Sequence, residues 1–180
     1  REFEKFFEEY CDVKHAVAMT NGTVALFSCL YAAGVGLGDE VIVPDLTFVA
    51  TANAVIMIGA TPVFCDIEEN TLGLDPKKIE CCITKKTKAV IPVHLYGHSS
   101  NLEKISEICE KHNLHMIEDA AQGVGVFRNK KHVGTFGESG ILSFYGNKTI
   151  TTAEGGIVLT NDDKIREICV QLKNHGRPAR

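Results

Sequence analysis

The sequence predicts an α/β fold: a mostly parallel sheet with helices on both faces, in three layers. Short apolar runs rich in Val and Ile alternate along the chain with longer segments of helical periodicity, the order that joins parallel strands through crossover helices. The chain of 180 residues is long enough for one domain with a sizeable core. The polar residues that stand out all follow strand ends: Asn21-Gly22-Thr23, Asp45 to Phe48, His94, Asp119, Gln122 and Ser143 to Lys148. In parallel sheets the ligand lies beyond the carboxyl ends of the strands, so these residues are expected on one rim.

Phe3, Phe6, Phe7 and Tyr10 recur at helical spacing with acids opposite, so residues 2–10 read as an amphipathic helix. His15 to Met19 is a short strand. Asn21 is a good N-cap for a helix over Thr23 to Ala33, which Gly34 ends. Val41-Ile42-Val43 is the next strand, followed by a turn over Pro44 to Thr47 and a helix from Phe48 to Ile58, closed by Gly59. Pro62 to Cys65 is a strand, and Asp75 caps a helix to Cys82 with Pro76 at its first position. Ala89 to Val93 is a strand. Leu102 to Lys111 is a helix with Leu102, Ile105, Ile108 and Cys109 on one face. The strand from His115 closes on Glu118-Asp119. A hairpin around Asn129, two strands flanking Lys148 (Gly140 to Leu142 and Ile157 to Leu159) and a helix from Asp163 to Asn174 follow.

Composition narrows the function classes. A hydrophobic fraction of 44% and a charged fraction of 23% are those of an ordinary globular protein. A net charge of −4 with no local Lys/Arg run argues against a nucleic-acid partner. No apolar stretch reaches membrane-spanning length and no signal peptide opens the chain, which points to the cytoplasm and away from a membrane. The cysteines number seven, an odd count, with no C-x-x-C pair, and are expected to be reduced and buried. The histidines form no strong metal pattern, so no metal is expected. Both ends read as cut: no initiator Met precedes the first helix, and the chain stops in the loop-like Gly176 to Arg180.

The rim residues supply distinct chemistry. Asn21-Gly22-Thr23 sits where a strand becomes a helix, where free N–H groups and the helix dipole favour an anion; the same residues also read as an ordinary cap. Gly34 to Gly38 resembles a dinucleotide loop but lies at a helix end, which excludes that reading. Glu118 and Asp119 point to opposite faces of a strand, so one carboxylate faces the site alone and needs a positive partner; the alternative is a structural cap of the following turn. Phe48 is placed to stack on a flat heterocycle or to join the core. Lys148 lies among small and hydroxyl residues, where desolvation makes an amine nucleophilic; taken alone, it is also a surface lysine in a hairpin. A phosphate cradle, an aromatic platform, a lone carboxylate and a lysine are the set that pyridoxal phosphate uses.

Five stretches carry a resemblance to a known family: Asn21 to Leu26, Val43 to Asn53, Pro92 to Gly97, Glu118 to Gln122 and Ser143 to Gly156. In this order, over essentially the whole chain, they resemble the DegT/DnrJ/EryC1/StrS sugar aminotransferases, whose fold is the type I fold of pyridoxal phosphate enzymes. The wording Gly146 to Thr152 is most similar to perosamine synthases, which aminate GDP-4-keto-6-deoxymannose.

The resemblance implies that residues 1–180 form the cofactor-binding large domain, cut at both ends, without the smaller C-terminal domain. It implies that Lys148 bonds the pyridoxal phosphate aldehyde and later moves the proton, and that Asp119 pairs with the pyridine nitrogen. Gln122 contacts the 3-hydroxyl side, Phe48 stacks on the ring, and Gly22, Thr23 and Ser143, beside Asn21, bind the phosphate. Asn147 lies close to the cofactor and His94 on the substrate side, neither with a firm role. Glutamate would convert the cofactor to pyridoxamine phosphate, which then aminates a nucleotide-linked keto sugar; a homodimer is implied because a partner subunit completes the site. A related branch, the sugar 3-dehydratases, carries histidine in place of this lysine, so Lys148 points to amination. Two other readings stand beside this one: a truncated, non-catalytic module of the same fold, and an enzyme acting on amino acids. Against the latter, no Arg in the N-terminal half is placed to hold an amino acid's carboxylate.

Overall fold

The computed structural model describes residues 2–177, as six α-helices and nine strands. In order these are α1 (Glu2–Cys11), β1 (His15–Met19), α2 (Gly22–Ala32), β2 (Glu40–Pro44), α3 (Ala50–Met57), β3 (Thr61–Cys65), α4 (Pro76–Cys82) and β4 (Thr87–Val90). Then follow a 3₁₀ turn (Leu95–Gly97), α5 (Leu102–His112), β5 (His115–Asp119), β6 (Phe127–Arg128), β7 (Lys131–His132), β8 (Ser139–Ser143), β9 (Gly156–Thr160) and α6 (Asp163–Lys173). Seven strands form one sheet in the order β1-β9-β8-β5-β4-β2-β3, and β6 and β7 form a small hairpin. Only β9 runs against its neighbours in the large sheet, β1 and β8. The α/β class and the predominantly parallel sheet therefore hold.

Alternation along each strand sends side chains to two separate cores. Val41, Val43, Ile117, Ile141 and Val158 face α2, α3 and α6. Ile42, Val90, Met116, Leu142 and Ile157 face α1, α4 and α5. Both faces of the sheet are thus sealed, which is the three-layer arrangement. The helices differ accordingly. α5 and α6 bury one stripe each, Leu102, Ile105 and Cys109 in the first and Ile165 and Cys169 in the second. α2 is apolar almost all round and buries Ala25, Leu26, Cys29 and Leu30.

Several boundaries moved for local reasons. β4 stops at Val90 because Pro92 has no N–H for the ladder; its carbonyl still accepts from Asp119 N–H at 2.9 Å. α3 begins at Ala50, so Phe48 precedes the helix and is 65% exposed instead of opening it within the core. The hairpin around Asn129 is present, turned by Asn129 and Lys130 at φ of 49° and 65°. Asp75 caps α4 through its bond from Lys77 N–H, with Pro76 at the first position as its sequence requires.

Candidate active site

The carboxyl ends of β1, β5 and β8 and the start of α3 enclose a cleft of about 440 Å³. Each residue given a site role from the sequence lines it, namely Asn21, Gly22, Thr23, Phe48, His94, Asp119, Gln122, Ser143, Asn147 and Lys148, whereas Asp45, also expected on this rim, does not. Thr47 and Tyr145, which lie within the stretches expected on the rim but were given no role, also line it, as do Leu26 and Glu154, which were not foreseen.

One end of the cleft is the start of α2. Asn21 has extended backbone, and its Oδ1 accepts from Val24 N–H at 2.9 Å, while its carbonyl accepts from Ala25 N–H at 3.0 Å. The cap reading of Asn21 is thus correct as far as it goes. It leaves the N–H groups of Gly22 and Thr23, which no intrahelical acceptor reaches, at the positive end of the helix dipole. Two glycines make this approach possible. A Cβ on Gly22 would stand 3.0 Å from the Cβ and 3.2 Å from the Oγ of Ser143, and a Cβ on Gly156 would run into the Asn21 carbonyl. The cap, Ser143 and the first residue of β9 therefore close into one donor-rich cradle.

Asp119 stands at the end of β5, 6% exposed. Its backbone is strapped to the continuation of β4, donating to the Pro92 carbonyl at 2.9 Å and accepting from His94 N–H at 3.1 Å. Its Oδ1 accepts from Ala121 N–H at 3.1 Å and its Oδ2 from the Thr51 hydroxyl at 2.7 Å. Thr51 in turn lies 2.9 Å from the Thr47 hydroxyl. Thr51 lies within the Val43 to Asn53 stretch but was given no role there; the further signal is the Thr47, Thr51 spacing of four, which places two hydroxyls over one another at a helix start.

Glu118 takes the other face of the strand and is fully buried. It accepts from Gly134 N–H at 2.7 Å, Phe136 N–H at 2.5 Å, Gly137 N–H at 2.8 Å and His94 Nε2 at 3.0 Å. His94 receives Ser100 N–H on Nδ1 at 3.1 Å, so Nε2 carries the ring proton and donates to Glu118. Both ring nitrogens of His94 are occupied inside the protein, although the residue borders the cleft.

Lys148 lies on the loop joining β8 to β9, so its hairpin placement and its place in the cleft are both true. Its backbone N–H donates to the Tyr145 carbonyl at 2.9 Å. Among the described residues its Nζ makes no ion pair or hydrogen bond, and it lies 5.8 Å from the centroid of the Phe48 ring. Gln122 lines the cleft with its Oε1 accepting from Tyr96 N–H at 2.7 Å. No cysteine borders the cleft. Burial pushes the thiols of Cys11, Cys109 and Cys169 up to about 12, which leaves them protonated and unreactive.

The cleft thus joins an amine with no hydrogen bond or ion pair among the described residues, the buried Asp119 carboxylate, an exposed aromatic ring and an N–H cradle. The model of the DegT/DnrJ/EryC1/StrS aminotransferase family matches residues 1–180. The chain belongs to that family. It is 50% identical over 175 residues to the GDP-perosamine synthase of Caulobacter vibrioides, covering 97% of this chain and 47% of that protein. The aminotransferase of Psychrobacter cryohalolentis superposes with a TM-score of 0.97 at 44% identity, over 99% of this chain and 45% of the other. NtdA of Bacillus subtilis, solved with bound PMP cofactor, gives 0.88 at 37% identity, over 94% of this chain and 38% of its own. The chain spans about half the length of the relatives it matches. The sheet order and the two-faced core are those of the type I fold of these enzymes. Among the described residues no helix is long and apolar enough to cross a membrane.

Proposed function

We propose that the complete protein is a pyridoxal phosphate-dependent aminotransferase that moves an amino group from glutamate to the keto group of a nucleotide-linked keto-deoxy sugar, as a GDP-perosamine synthase does. The observation that carries this reading is the meeting of the Lys148 amine, which makes no hydrogen bond or ion pair among the described residues, with Asp119 and the Gly22–Thr23–Ser143 cradle in one cleft. The donor set fits the cofactor at each end. The cradle offers N–H and hydroxyl donors to a phosphate, and Asp119 offers a carboxylate with one bond already on each oxygen.

The bound cofactor supplies an electron sink for charge developing at the reacting carbon. Lys148 would hold the cofactor through its amine and, as a free amine, would accept and return a proton at its Nζ. Asp119 keeps the ring nitrogen protonated, which a hydroxyl in its place would not do. Gly22, Thr23 and Ser143 bind the phosphate, with Asn21 fixing the cradle by capping. Phe48 covers a ring face, Gln122 stands at the 3-hydroxyl side, and Asn147 borders Lys148. His94 has both ring nitrogens engaged, by Glu118 and Ser100, and touches Asp119 only through its backbone N–H, which leaves sugar recognition to residues nearer the rim.

The same reading carries a homodimer, a cytoplasmic location and an amino sugar destined for polysaccharide such as O-antigen. The test is turnover by the full-length protein of GDP-4-keto-6-deoxymannose within a panel of nucleotide keto sugars, with glutamate and glutamine as donors and mass spectrometry of the product. An aminated sugar made with wild type and absent with Lys148→Ala is expected. Turnover that survives Lys148→Ala sinks the assignment.

A further inference from the structure

Asp119 is held by a threonine of the Val43 to Asn53 stretch that was given no role from sequence. Thr51 is fully buried in the first turn of α3, yet its hydroxyl is not bonded back to its own helix. It donates to Asp119 Oδ2 at 2.7 Å, between residues 68 apart in sequence. A hydroxyl has one proton to give. With the Thr51 proton on the carboxylate, the 2.9 Å contact between Thr47 and Thr51 runs one way, Thr47 donating to Thr51. The hydrogen bonds therefore all point inward, from Thr47 at the cleft wall through Thr51 to Asp119. The remaining oxygen, Oδ1, receives Ala121 N–H.

We propose that Thr51, backed by Thr47, is a positioning residue that orients the Asp119 carboxylate and keeps it an acceptor for the ring-nitrogen proton of the cofactor. This rests on the function proposed above. The reasoning is chemical. A carboxylate facing a protonated ring nitrogen shares one proton with it, and donors aimed at the carboxylate hold that proton on the nitrogen. Without the Thr51 hydroxyl, Asp119 keeps one fixed bond, gains a rotation about its side chain, and draws the proton toward itself. The neighbouring Thr47 hydroxyl loses its acceptor at the same time.

The full-length protein, stripped of cofactor and reconstituted with ring-¹⁵N pyridoxal phosphate, gives two readouts: the dissociation constant and the ring-nitrogen resonance. Thr51→Val keeps the shape and loses the hydroxyl; Thr51→Ser keeps the hydroxyl and loses a methyl. We expect Thr51→Val to bind roughly tenfold to hundredfold more weakly, the worth of one hydrogen bond to a charged group, and to shift the resonance toward the unprotonated nitrogen. Thr51→Ser should retain the wild-type resonance and bind nearly as well. A Thr51→Val protein with wild-type affinity and resonance overturns the proposal. So does a Thr51→Ser protein that loses both while Thr51→Val keeps them, since packing would then be the whole role. Wild-type protein that takes up no pyridoxal phosphate overturns the proposed function itself, and the role of Thr51 with it.

Discussion

Glu118 and Asp119 are joined by one peptide bond and face opposite sides of the sheet. Glu118 is sealed between the sheet and the segment over Gly134 to Gly137, its carboxylate surrounded by three backbone N–H groups and the His94 ring. Asp119 has one donor on each oxygen and borders the cleft. The difference teaches where chemistry can reside in this fold. A carboxylate whose acceptor sites are filled by the protein holds the structure together. One with capacity left over, fixed from behind, is available to a ligand.

Four substitutions test that division. The largest effect is expected on stability at the sealed side. Glu118→Gln replaces an acceptor with an amide whose N–H₂ meets backbone donors, and should cost about 3 kcal/mol or more. Thermal unfolding should show a fall of roughly 6–12 °C for a domain of this size. Asp119→Asn should do the reverse: turnover lower by roughly 10²–10³, the scale for a lost preorganised charge, with the melting point nearly unchanged. If Asp119→Asn unfolds the protein while Glu118→Gln does not, the two faces have been misread. Gly22→Ala brings a Cβ to 3.0 Å from the Ser143 Cβ. Cofactor affinity should drop about tenfold as the cradle widens, since overpacking costs about 1–3 kcal/mol, and equilibrium binding checks it. The smallest effect is the control. Asp162 caps α6 by accepting from Lys164 and Ile165 N–H groups at 2.7 and 3.0 Å. Asp162→Ala should lower stability by about 1 kcal/mol and leave turnover as it was.

Much of this division was legible before any coordinates. The opposite facing of Glu118 and Asp119 follows from strand periodicity, and the gathering of Asn21, Asp119 and Ser143 on one rim follows from strand-end placement. The reversed direction of β9 was not legible, because an apolar strand carries no mark of its direction and the loop from Phe144 to Gly155 is long enough for several paths. Thr51 was hidden for a different reason. A threonine in a helix start has a local explanation ready, and its real partner is 68 positions away. The donors to Glu118 were also out of reach, because they are backbone groups of residues with no chemistry of their own. Phe48 was open to two readings until its exposure separated them.

The central claim is that Lys148 is the amine that holds the cofactor. Borohydride reduction of the full-length protein with pyridoxal phosphate, followed by peptide mass mapping, tests it most directly. The account predicts a yellow protein whose colour is lost on reduction and a pyridoxyl group on the peptide carrying Lys148. A pyridoxyl group on another lysine, or none on any, would contradict it.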